Sequence, residues 1–308
     1  MHLLTKFISI SVVTTTLMLT GCASFKMTEP APVQAGVVKI QYTSNDPSSW
    51  SELPPGVYRV PGSQVIISGH QKGSVIGVIF GPFGVLAQSA INSSIGKGRT
   101  HNIEDALRIN LTAEEQKITA ALLTDANLGG KFTLQDSNNP TSLSVDTSVI
   151  INFVNDTDVR PYVLLKATLK DATAHKQIWS TRYIAAVGKA RPLSGENSWT
   201  SNNAAPLKEN LSLSLKSAIG IMLNDISSPA PRDAKKLTTV EAEFPYVKQP
   251  IQIMGYKVAE DEQSIAFIPK LGDMVTFQGV NILDKQVTVY RAATANDPLI
   301  KAITPPKQ

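Results

Sequence analysis

Alternation of apolar and polar positions is clearest in the middle of the chain. From Tyr162 to Lys170, Val163, Leu165, Ala167 and Leu169 fall on one side while Lys166, Thr168 and Lys170 fall on the other, the period of a strand with one core side and one wet side. Val149, Ile151 and Phe153 make a similar face before it, and Trp179, Tyr183, Ala185 and Val187 one after it. The short polar connection 171–177 suits an antiparallel hairpin. A helical period brackets these strands. Thr112-Ala113-Glu114-Glu115 has the spacing of a capping box, Ile118, Ala121 and Leu122 give the apolar face behind it, and Asn127 to Gly130 end it. A weaker helix over 103–109 precedes it, and 131–135 reads as a short strand. On the far side Asn203 offers a cap, Pro206 fits a first turn, and Leu207, Leu211, Leu215, Ala218 and Met222 form a core-facing stripe.

Two further strand patterns flank this unit. Val57 to Val60, a Pro61-Gly62 turn and Gln64 to Ser68 read as a hairpin. After the proline-punctuated stretch 227–232, four short candidates at 251–258, 264–268, 274–280 and 286–291 follow with no helical period among them. The expected fold class is therefore α+β, an antiparallel sheet with helices on one face, plus a small C-terminal all-β module. The expected organisation is 1–21 signal peptide, 22–56 tether, 57–228 α/β domain, 229–244 linker, and 245–308 β module with a loose tail.

Two stretches fall outside that pattern. Lys6 heads an uncharged run, Phe7 to Leu19, closed by Leu19-Thr20-Gly21-Cys22, which is the layout of an export signal and shorter than the ~20 apolar residues of a spanning helix. The tetrad resembles the bacterial lipobox, which implies acylation of Cys22 as lipid attachment site, cleavage before it, and a mature protein held at a membrane. In Gram-negative lipoproteins an aspartate just after the cysteine tends to retain the protein at the inner membrane; Ala23 stands there instead, which by the same resemblance implies the outer membrane, facing the periplasm. The second stretch, Gly73 to Gly96, carries no charge, and Gly73, Gly77 and Gly81 recur every four residues before Pro82 interrupts any continuous helix. A buried glycine-rich loop and helix, a membrane-touching hairpin and a self-association surface all fit it. The spacing resembles glycine-zipper segments of outer-membrane lipoproteins.

Composition narrows the chemistry. Removing 21 residues leaves 308 − 21 = 287, and the single lysine lost leaves 28 basic against 25 acidic, a net +3 too small and dispersed to imply nucleic acid. With Cys22 acylated no thiol remains, so disulfides and a cysteine nucleophile are both excluded. His70, His101 and His175 stand far apart and match no metal or triad spacing. Ser94-Ile95-Gly96-Lys97 fits a Ser-x-x-Lys pattern but lacks its companion elements. Asp156 with Asp158, and Glu260-Asp261-Glu262, read as solvated turns before they read as a calcium or glycosidic carboxylate pair. Trp50 and Trp199 lie in polar surroundings, as partner contacts or as rings packed onto the body.

The order helix, strands, helix over about 130 residues resembles the periplasmic α/β domains of envelope lipoproteins such as the curli-secretion family and the auxiliary lipoproteins of lipid-transport systems. The expectation is a non-enzymatic envelope assembly, scaffold or transport accessory with no metal and no cofactor beyond the covalent lipid. Its partners would be the membrane, through acyl chains, and an envelope protein or a second copy of the chain. A cell-wall or glycan hydrolase and a carrier of lipid or another small ligand are the alternatives.

Overall fold

The computed structural model describes residues 28–43, 57–68, 96–171, 173–174, 176–233, 235–247, 249–271 and 278–303. Its centre is the meander that the alternation predicts. Strand β5 (Thr141–Phe153) pairs antiparallel with β6 (Asp158–Asp171), and β6 with β7 (Lys176–Ala186). The remaining strands are β1 (Val38–Thr43), β2 (Val57–Arg59), β3 (Val65–Ser68), β4 (Phe132–Thr133), β8 (Arg191–Pro192), β9 (Leu237–Ala242), β10 (Ile251–Glu260), β11 (Ser264–Pro269), β12 (Val280–Asp284), β13 (Val289–Ala292) and β14 (Ile300–Ala302).

The sheet is mixed, not purely antiparallel. Both β1 and β3 lie end to end along one edge of β5 and run parallel to it, and β12 runs parallel to β7. Parallel neighbours need crossover connections, and those are the helical segments 96–129 and the long helix after β7. The C-terminal strands do not close into a separate module. The order β13-β9-β10-β11-β12-β7-β6-β5-β1-β4 makes one hydrogen-bonded sheet. Gly279 permits the junction: its φ of +82° is open to glycine, and a Cβ there would stand 2.2 Å from the Arg182 carbonyl oxygen. The C-terminal strands keep a core of their own, built on Phe244, Ile251, Ile265 and Phe267. Strand β9 falls inside the expected linker and β14 inside the expected loose tail, because both are too short to show a period yet pair with β10.

Among the described residues three α-helices cover one face: α1 (Thr112–Leu122), α2 (Ala126–Gly129) and α3 (Ser201–Ser227). Leu207, Leu211, Leu215, Ala218 and Met222 of α3 are fully buried, as their spacing predicts, in one core with Val163 and Leu165 of β6 and Tyr183 and Ala185 of β7. Asn203 does not cap: residues 202–204 have φ of 49–59°, left-handed backbone, so the right-handed helix starts just before Pro206. Nor does the capping box form. Leu111 occupies the cap position of α1 without a side-chain bond, and Glu115 turns into the core. The opposite face of the sheet is not the wet one expected. Ile66, Ile150, Tyr162, Leu164 and Ile184 are buried there with Tyr246, whose amide donates to Asn152 Oδ1 at 3.0 Å.

Candidate functional site

A cleft of about 550 Å³ opens where the exposed flank of α3 meets the ends of β7, β11 and β12. Its helical wall is set by the 3.6-residue period: Leu213, Ser217, Gly220 and Asn224 recur every three or four residues beside Lys216 and Ile221. Leu122, the last residue of α1, closes one side. The floor is Ala185 to Gly188 and Ile282, and the far rim is Asp261, Gln263, Asp284 and Gln286.

The rim acids are tied to backbone. Asp284 Oδ2 accepts from the Gly188 amide at 2.7 Å and Oδ1 from the Gln286 amide at 2.8 Å, so this half-turn pins the end of β7 to β12. Asp261 accepts from the amides of Gln263 and Ser264 at 2.8 and 2.6 Å. Carboxylates held by backbone amides in this way define the shape of the rim.

Gly220 stands apart in the helical wall. In a helix interior glycine costs about 0.5–1 kcal/mol relative to alanine. Packing usually justifies that cost, yet a Cβ built on Gly220 meets nothing within 4 Å. Leu213, two turns before it on the same wall, is 51% exposed.

The residues singled out by sequence are scattered. Cys22, Trp50, the glycines at 73, 77 and 81, His70, Ser94 and His175 lie outside the described residues. Trp199 is a correction to its reading as a partner contact. It is 2% exposed, its Nε1 donates to the Val159 carbonyl at 2.8 Å, and Arg191 stacks over its ring at 4.9 Å. Its polar neighbours Ser194, Glu196 and Asn197 form the exposed loop while the ring turns inward. His101 is exposed on a short 3-10 helix. Asp156 pairs with Arg99 at 2.9 Å, and Asp158 takes part in a turn held by Asn155. Glu260 is held down at about 2 by hydrogen bonds from Lys257, Lys285 and Tyr290. Among the described residues no three His, Cys, Asp or Glu side chains come together as metal ligands.

Among the buried charges that escaped the sequence reading are Asp225 and Glu115. Asp225 of α3 accepts from Tyr183 Oη at 2.9 Å and from Arg232 Nη2 at 3.2 Å, fastening the segment after α3 to β7. Glu115 is fully buried with no hydrogen-bond partner on either oxygen. Burial raises its carboxyl from 4.5 to about 7, Asp146 pushes it further, and the Thr147 hydroxyl offsets this in part. A signal for it existed. Position 115 precedes Ile118 by three and Leu122 by seven, which places it on the apolar face of α1.

No helix among the described residues is long and apolar enough to cross a membrane. No family model matches the chain, and no curated protein matches it. Among solved structures, the crystal structure of protein XCC0632 from Xanthomonas campestris, described by the family model DUF330, is similar at 14% identity. The match covers 66% of this chain and 89% of that one, with a TM-score of 0.28.

Proposed function

We propose that the chain is a lipoprotein of the bacterial envelope, anchored through acyl chains on Cys22 at the outer membrane and facing the periplasm. It acts non-catalytically, as an assembly, scaffold or transport accessory, by holding another envelope protein in the cleft along α3. The anchor rests on Leu19-Thr20-Gly21-Cys22. The binding role rests on one observation above the others: Gly220, a helix-interior glycine facing open space in a cleft wall. Self-association through Gly73, Gly77 and Gly81 belongs to the same proposal as a second contact. The cleft volume of about 550 Å³ also favours a second reading, a carrier of a small ligand, since such sites run from about 300 to 1,000 Å³.

A photo-crosslinking residue placed at Leu213 in the lipidated protein, in membranes, tests this. Position 289, where Val289 is 64% exposed on β13, is the control. Defined protein adducts at 213 and none at 289 support the binding role, and lipid adducts at 213 favour the carrier. Identical adduct patterns at the two positions would refute a specific site.

A further inference from the structure

Glu115 has no part in the cleft, yet it sits where α1 is fixed to the sheet. From its fully buried position it faces β1 and β5, where the Thr147 hydroxyl lies beside it. One turn on, Thr119 Oγ1 and Tyr42 Oη share a hydrogen bond of 2.5 Å. We infer that Glu115 is a proton-operated latch: protonated, it lets α1 lie flat on β1 and β5; ionised, it drives α1 off them. Leu122 at the other end of α1 lines the cleft, so that wall moves with the helix. The latch stands whether or not a partner fills the cleft.

The charges around it give the direction. On β1 the titratable neighbour is Tyr42, itself pushed up by burial, and on β5 it is Asp146, whose negative charge opposes a second one. Thr43 already donates to Asp146. On α1 itself Glu114 and Lys117 form a loose outward pair at 3.8 Å. On α3, Ser212 donates to Glu114 at 2.9 Å, and Lys208, Glu209 and Lys216 are exposed. Among the described residues, then, no cation faces Glu115 to compensate its anion. A carboxylate buried without a partner or counter-charge gains solvation only by leaving, and the helix must leave with it.

The sign follows from the group's range, 4.5 when solvated against about 7 in place. Docking of α1 is strongest at low pH and weakens as pH rises through 7. Hydrogen exchange of the α1 amides in the mature protein, corrected for intrinsic rates, reads this directly. Between pH 5.5 and 8.5 the protection of α1 in wild type falls about 30-fold, the ratio those two values give, while α3 keeps its protection. Glu115→Gln flattens the response, and Glu115→Met, which keeps the volume and removes the proton, does the same should the amide not be accommodated. Protection of α1 that is equal at the two pH values in wild type overturns the latch. So does a fall of the same size in wild type and both variants.

Discussion

Gly220→Ala separates a structural glycine from a functional one. In the interior of α3 the change removes glycine's excess conformational entropy and adds a methyl that meets nothing within 4 Å, so no clash subtracts from the gain. The expected effect is stabilisation by about 0.5–1 kcal/mol. For a chain of this length the corresponding rise in melting temperature is only about 1–2 °C. Urea titration is therefore the better assay, read as a higher midpoint at unchanged slope. Gly220→Leu gains the same backbone term and fills the cleft, and it too should fold. A loss of stability above about 0.5 kcal/mol in Gly220→Ala would refute the reasoning. It would mean that the space over this glycine is used inside the fold and that the cleft is not open to a partner.

The other expectations concern how the cleft is held in place. Arg232→Met leaves Asp225 buried with only Tyr183 to compensate it and should cost about 3–5 kcal/mol by denaturant titration; a cost below 1 kcal/mol would show that the pair is solvated. Gly279→Ala should prevent the native fold, because a Cβ would stand 2.2 Å from the Arg182 carbonyl oxygen at a φ of +82°; circular dichroism and melting equal to those of wild type would refute this junction between β12 and β7. Trp199→Phe loses the bond to the Val159 carbonyl and should cost about 1–3 kcal/mol while leaving crosslinking at position 213 unchanged. Lost crosslinking in a folded Trp199→Phe protein would return that tryptophan to the binding surface.

What could be read from sequence, and what could not, divides along physical lines. The meander β5-β6-β7 and the stripe of α3 were legible because alternation and helical period are local properties of the chain. Strand direction is not local. Nothing in Val65 to Ser68 or Val280 to Asp284 says that each runs parallel to its neighbour, because that depends on crossovers through 96–129 and α3. The acid at 115 satisfied two patterns at once, a capping box by its distance from Thr112 and a core position by its distance from Ile118. Packing against Tyr42 and Thr147 decided for the core. Trp199 misled in the opposite way, since its polar neighbours describe the loop while the ring belongs to the core. The cleft was not legible at all. Its parts come from Leu122, 185–188, 213–224, 261–264 and 282–286, and the one local clue, a glycine inside a good helix, has meaning only once the space above it is seen to be open.

The most direct measurement is affinity capture with crosslinking of the mature, lipidated protein from its own membranes, wild type beside Gly220→Leu. If the body works as a tethered holder of a partner, wild type captures a defined protein that the folded, equally acylated variant does not. The same captured set from both, or intact mass showing Cys22 without acyl chains, contradicts it.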